Sequence, residues 1–146
     1  MRAGFTLLEL LIALALVAAL SALAVPGMGR MLAGWRLNAA ARQVVMDLKL
    51  ARGRAISEST TRRVRFPVPG RAYQHERQRP SGTYIAAGPA TQLPDGVSVA
   101  DCTAAGSGIG FRPRGYAATF GTIRLRNDDG DERLVVVDIA GRMRVQ

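Results

Sequence analysis

The sequence predicts an α+β fold: a long amino-terminal helix, transmembrane in its first part and amphipathic in its second, packed on an antiparallel β-sheet head. Three observations predict it. Residues 5–25 are apolar almost throughout. Leu37, Ala41, Val44, Leu48, Ala51 and Ala55 then recur at alternating four- and three-residue spacings, which puts them on one helical face. From Thr61 onward the helical period gives way to short runs separated by Pro, Gly and Asp, the pattern of strands joined by turns. The chain divides accordingly into a short charged leader (1–4), an apolar helix (5–25), an amphipathic stalk helix (26–57) and a β-rich head (58–146).

At about 1.5 Å per residue the run 5–25 reaches roughly 30 Å, the thickness of a bilayer's hydrocarbon core. A cleaved signal peptide has a shorter apolar region followed by a small-residue cut site, and no Ala-x-Ala follows this run. The segment is therefore read as a retained anchor. Its one carboxylate is Glu9, with no basic residue near it inside the run. An ionised acid in lipid costs a few kcal/mol and normally has a partner or a function. Its cation must come from another chain or from a newly made amino terminus. Pro26, with Gly27 and Gly29, follows the run, and proline removes a backbone donor and clashes with the preceding turn, so a helix break is expected there.

The stalk resumes near Arg30 and runs to about Ile56. Its apolar stripe is expected to pack under the head, with Arg36 and Arg54 on other sides and Met46 and Leu50 forming a second apolar strip. Strands are expected at 62–66, 71–75, 83–87, 97–100, 117–120, 122–126, 133–139 and 142–145. Thr122–Arg126 alternates, with Ile123 and Leu125 inward and the arginines outward, while Leu134–Val137 is continuously apolar, as in mid-sheet. The segments 75–82 and 104–108 are expected to be loops, and His75, among charged neighbours, a surface imidazole.

The chain of 146 residues carries a net charge of +9, and 19 of its 20 basic residues are Arg. Such a protein can meet nucleic acid, anionic lipid or acidic partners. The excess is not concentrated in the head: residues 30–57 have a net charge of +5 and residues 58–146 a net of +4. One histidine and one cysteine, far apart and without a partnering pattern, argue against an enzyme. Cys102 alone permits no intramolecular disulfide. No cofactor is expected, and no metal either. The acidic run Asn127–Glu132 invites a calcium reading but lacks the alternating ligands of an EF-hand, and it suits a hairpin turn.

Gly4-Phe5-Thr6-Leu7-Leu8-Glu9, followed by the apolar run, resembles the processing site of type IV pilins and type II secretion pseudopilins. The resemblance implies a pilin-like fold, cleavage of the leader after Gly4 by a prepilin peptidase, and methylation of the new amine on Phe5. It further implies that Glu9 neutralises the amine of a neighbouring subunit during filament assembly, and that Pro26 lets the helix loosen within the filament. Ala51–Ile56, Leu93–Val97, Phe111–Gly115 and Leu134–Val145 are similar to landmarks of the FimT/GspH type of minor pilin and pseudopilin.

Gly141-Arg142-x-Arg144 matches the Gly-Arg-x-Arg tail through which FimT-like minor pilins bind DNA in natural transformation. On a strand, Arg142 and Arg144 would share a face about 6–7 Å apart, a separation suited to successive phosphates. Gly141 would supply the turn, and Arg124, Arg126 and Arg133 an extension if their strands neighbour the tail. The preferred reading is a minor type IV pilin binding double-stranded DNA, anchored in a bacterial inner membrane with its head in the periplasm before it joins the filament. Two alternatives stand beside it: a GspH-like minor pseudopilin at the tip of a type II secretion filament, and a structural initiator of pilus assembly with no ligand of its own. The tail arginines have a plain counterpart too, since charged edge strands discourage unwanted sheet pairing.

Overall fold

The computed structural model describes residues 6–146, apart from 22–28. Gly4, Phe5 and Pro26 lie outside the described residues, and so do the expected cleavage site and helix break. One helix, α1 (Leu7–Ser57), is followed by ten strands: β1 (Arg62–Arg65), β2 (Ala72–Gln78), β3 (Tyr84–Ala86), β4 (Thr91–Gln92), β5 (Val97–Cys102), β6 (Gly108–Phe111), β7 (Ala117–Thr119), β8 (Gly121–Asn127), β9 (Glu132–Val137) and β10 (Met143–Val145). The chain forms two compact units, Met1–Leu32 and Ala33–Gln146.

In the first unit Thr6 starts the helix. Its hydroxyl and its carbonyl both accept the amide of Glu9, at 3.3 and 3.1 Å, which satisfies a donor that the first turn leaves free. Every described side chain from Thr6 to Ser21 is exposed, including Leu7, Leu8, Leu10, Leu14 and Leu20. Among the described residues no helix is long and apolar enough to cross a membrane. The described part of the apolar run, 6–21, is shorter than the roughly 20 residues a span needs.

In the second unit the stripe expected from the spacing is the buried face of the helix: Leu37, Ala41, Val44, Leu48, Ala51 and Ala55 are each at most 1% exposed, with Ala40 beside them. Met46 and Leu50 remain exposed. The head holds two antiparallel sheets. In one, the order is β3-β2-β1-β6-β7 with β4 also paired to β2, and in the other β10-β9-β8-β5. Val64, Tyr73, Ile109 and Phe111 from the first, Phe66 just after β1, and Val97, Val99, Ile123, Leu125, Val135 and Val137 from the second join the helix stripe in one core. Burial of several large side chains, at about 1.5–3 kcal/mol each, is the main stabilising term for a domain that has only a free, buried Cys102 and no disulfide.

Three expectations from the sequence need correction. Residues 75–78 are not loop, because β2 runs on to Gln78. Arg63 of β1 pairs with the buried Glu76 directly opposite and lies 3.8 Å over the ring of Tyr84, so charges that read as solvated are neutralised across strands. The expected loop 104–108 holds as far as Ser107, with Ala105–Ser107 a tight 3-10 turn in which Gly106 has φ +63°, but Gly108 opens β6. There the hydroxyl of Thr119 accepts the amide of Gly110 at 2.7 Å and donates to the carbonyl of Gly108 at 2.6 Å. A Cβ on Gly110 would come within 3.1 Å of that hydroxyl oxygen, so glycine here allows the close approach of a buried strand.

His75 is also not a free surface imidazole. It is half-buried, with Nε2 3.9 Å from Asp47 Oδ1 of the helix, and Tyr73 donates its hydroxyl to the other oxygen of Asp47. Burial holds the His75 pKa below its ordinary value against the opposing pull of Asp47, and burial with Asp47 pushes that of Tyr73 well up. This cluster ties helix to sheet.

Candidate functional site: the Gly141 turn and the basic tail

The carboxy-terminal tail is built from β9, a turn and the edge strand β10. Register assigns the faces. Ile123, Leu125, Val135 and Val137 are buried, and Met143, opposite Val137, packs against the core. Thr122, Arg124 and Arg126 on β8, Glu132, Leu134 and Val136 on β9, and Arg144 opposite Val136 therefore share the outer face. Arg133 stands opposite Leu125, on the inner face. Its Nε donates to Asn38 Oδ1 of the helix at 2.9 Å and its Nη1 to the Glu132 carbonyl at 2.8 Å, so it does not widen the outer patch.

The two other candidate extensions are on the outer face but are not free. Arg126 donates through Nε to Glu132 Oε1 at 2.9 Å, and Arg124 lies 3.8 Å from the second oxygen of the same carboxylate. One acid thus serves two guanidiniums.

Arg142 precedes β10 and is held by Asp138 in two ways. Its amide donates to Oδ1 at 2.9 Å and its Nε to Oδ2 at 2.8 Å, while 72% of its side chain stays exposed. These bonds, that from the Arg142 amide first, hold the Asp138 carboxyl below its ordinary value. Arg144 is exposed and has no acid partner among the described residues.

Gly141 has φ +77°, and a Cβ there would stand 2.8 Å from the carbonyl oxygen of Gly115. The turn is fastened from the helix. Arg52 donates through Nε to the Gly115 carbonyl at 2.9 Å and through Nη1 to that of Gly141 at 3.4 Å. Three stretches that resembled family landmarks in sequence, those of Arg52, Gly115 and Gly141, therefore meet at one point. In sequence Arg52 stands only within a landmark stretch, which does not assign it this role. The only available signal was a half-polar position beside the stripe residue Ala51.

The acidic run is a hairpin turn, closed mostly by its own residues, with the Asp128 amide donating outside it to the Gly96 carbonyl at 3.0 Å. Asn127 Oδ1 accepts the Asp131 amide at 2.7 Å, Asn127 Nδ2 donates to Asp131 Oδ2 at 3.0 Å, and Gly130 has φ +92°. Among the described residues no group of His, Cys, Asp or Glu is arranged to hold a metal.

A long helix whose second half packs on an antiparallel head, entered through an apolar segment with an acid in its first turn, defines a subunit of pilin type. The chain belongs to the family of type II transport protein GspH, whose model matches residues 40–141, and the prokaryotic N-terminal methylation motif matches residues 1–25. It is thus a minor pilin or pseudopilin, a class whose members are processed by prepilin peptidase and assemble with other pilins. No curated protein matches it in sequence. Solved structures with a similar fold include the minor pseudopilin EpsH from the type II secretion system of Vibrio cholerae. It aligns with TM-score 0.62 at 15% identity over 76% of this chain and 96% of that one. A second EpsH crystal structure aligns with TM-score 0.61 at 16% identity, over 75% and 92%. The type IV minor pilin FimU of Pseudomonas aeruginosa aligns with TM-score 0.59 at 18% identity, over 75% and 87%.

Proposed function

We propose that this chain is a FimT-like minor type IV pilin, cut after Gly4 and methylated on Phe5, whose head binds double-stranded DNA without sequence preference for uptake in natural transformation. Before assembly it would sit in the inner membrane with the head in the periplasm. Glu9, in the first turn of an exposed apolar helix, would receive the amine of a neighbouring subunit, and no catalytic role is assigned. The single observation that carries the DNA reading is Arg144, exposed beside the tightly built Gly141 turn and without an acid partner among the described residues. Arg142 adds a second guanidinium, which a phosphate would have to take from Asp138.

The test is a titration of the full chain in non-ionic detergent with random-sequence duplex at several salt concentrations. Affinity is expected to fall steeply with salt, and R142A with R144A to lower both the affinity and the slope. Binding unaffected by the double substitution, or none at low salt, would remove DNA from the tail.

A second reading is favoured by a different observation. Glu132 and Asp138 occupy three of the four outward arginines, so the face is less basic than its residue count. A modestly charged head suits a GspH-like minor pseudopilin that binds other tip subunits, as the family description also does. The same titration separates the two.

A further inference from the structure

Beside the Gly141 turn lies an open groove of about 760 Å³ lined by Arg112, Pro113, Arg114, Tyr116, Ile139 and Ala140. Its walls are two tight turns. In one, the Gly115 amide donates to the Arg112 carbonyl at 2.8 Å and the Arg112 amide to that of Tyr116 at 2.9 Å. In the other, the Gly141 amide donates to the Asp138 carbonyl at 2.9 Å. The walls are joined by the Ala117 amide donating to the Ile139 carbonyl at 3.2 Å and by the two hydrogen bonds of Arg52. The groove is thus held rigidly, yet its large apolar groups face solvent: Tyr116 is 58% and Ile139 67% exposed. Arg112 and Arg114 are exposed, make no ion pair among the described residues, and no acid lines the groove.

An occupant must therefore be anionic at the rim and present a flat or apolar body to Tyr116, Pro113 and Ile139. A duplex meets only the first requirement, because its bases are stacked inside. One or two unpaired nucleotides meet both, since a base offers a π-face to an aromatic ring and its phosphate a partner to arginine. A groove of this size also matches a ligand of that bulk. Ala140 in its wall is followed directly by Gly141 and Arg142, so the groove adjoins in sequence the tail that carries the duplex reading.

We propose that this groove holds the unpaired end of a DNA strand, its base stacked on Tyr116 and its phosphates on Arg112 and Arg114. The inference rests on the DNA reading of the tail and extends it from the duplex body to a single-stranded terminus.

The experiment compares the full chain in non-ionic detergent on three labelled probes by fluorescence anisotropy: a blunt duplex, the same duplex with a four-thymidine overhang, and oligo(dT). The overhang is expected to bind about 5- to 30-fold tighter than the blunt end. Y116A should erase that gain and leave blunt-duplex affinity within about twofold, while Y116F should retain it. Photocrosslinking from 5-iododeoxyuridine placed in the overhang should label the peptide carrying Tyr116, a readout that needs no variant to fold. Equal affinity for overhang and blunt ends, a gain that survives Y116A, or a crosslink elsewhere would overturn the proposal. So would Tyr116-dependent binding of a glutamate–tyrosine copolymer with none of oligo(dT), which would give the groove to an acidic protein partner. The two levels fail separately. Blunt duplex bound through Arg144 with no overhang gain sinks the groove alone. Overhang and oligo(dT) bound through Tyr116 with no blunt-duplex affinity sinks the duplex reading alone.

Discussion

Two turns flank β9, one at each end, and they differ in what closes them. The Asn127–Asp131 turn is closed mostly by its own residues: Asn127 bonds Asp131 and Gly130 within the turn, one backbone bond leaves it, from the Asp128 amide to the Gly96 carbonyl at 3.0 Å, and a Cβ on Gly130 would meet only open space. The Asp138–Gly141 turn is held from a distance, by an arginine 89 residues away and against the backbone of a second turn. Next to the first, Glu132 engages Arg124 and Arg126; next to the second, Asp138 engages Arg142 and leaves Arg144 unpaired. Arginine count is therefore a poor guide to a binding surface here. What matters is which guanidinium the local acids have left available.

Glycine replacement should separate the turns most strongly. G141A must bear both a positive φ and a Cβ 2.8 Å from the Gly115 carbonyl oxygen, and is expected to destabilise the head by about 2–3 kcal/mol in denaturant melts. G130A, with positive φ but open space, should cost about 1 kcal/mol. Equal losses would mean that the fastening adds nothing. R52A comes next. It strips the hydrogen bonds from two carbonyls and should lower stability by about 1.5–3 kcal/mol, with hydrogen exchange rising at Gly115 and Gly141 but not around Gly130.

Smaller effects test the arginines themselves. R144A is expected to reduce the salt slope of DNA binding by about one, whereas R126A, whose side chain Glu132 already holds, should change it by less than half as much. A larger loss from R126A would reverse the comparison. The smallest effect is a titration. Because its folded-state pKa is lowered, Asp138 is stabilising above its unfolded value near 3.8, and that contribution is lost as pH falls through the folded value. Carboxyl NMR should place its midpoint below 3.8 in the wild type and closer to 3.8 in R142A, where the side-chain bond is gone and the backbone bond remains.

Much of the architecture was legible in advance where a side chain's environment repeats with a short period. The helix stripe and the alternation of Thr122–Arg126 are of this kind, and both are buried on the expected side. The misses share a cause. β6 contains two glycines, which give no alternation to read, and the second half of β2 carries Glu76, whose partner Arg63 lies on another strand. Arg133 resembles its neighbours Arg124 and Arg126 in sequence, yet the pleat directs it to Asn38.

By itself the sequence determined the amino-terminal motif, the long helix with its buried stripe and a β-rich head closed by a Gly-Arg-x-Arg tail, because each depends on residues only a few positions apart. Only the tertiary structure decided that there are two sheets, that Arg52 pins the tail turn, and which arginines stay free. Hydrogen bonds and ion pairs act over a few ångströms, and the strand register that brings their partners together is set by the packing of the whole head.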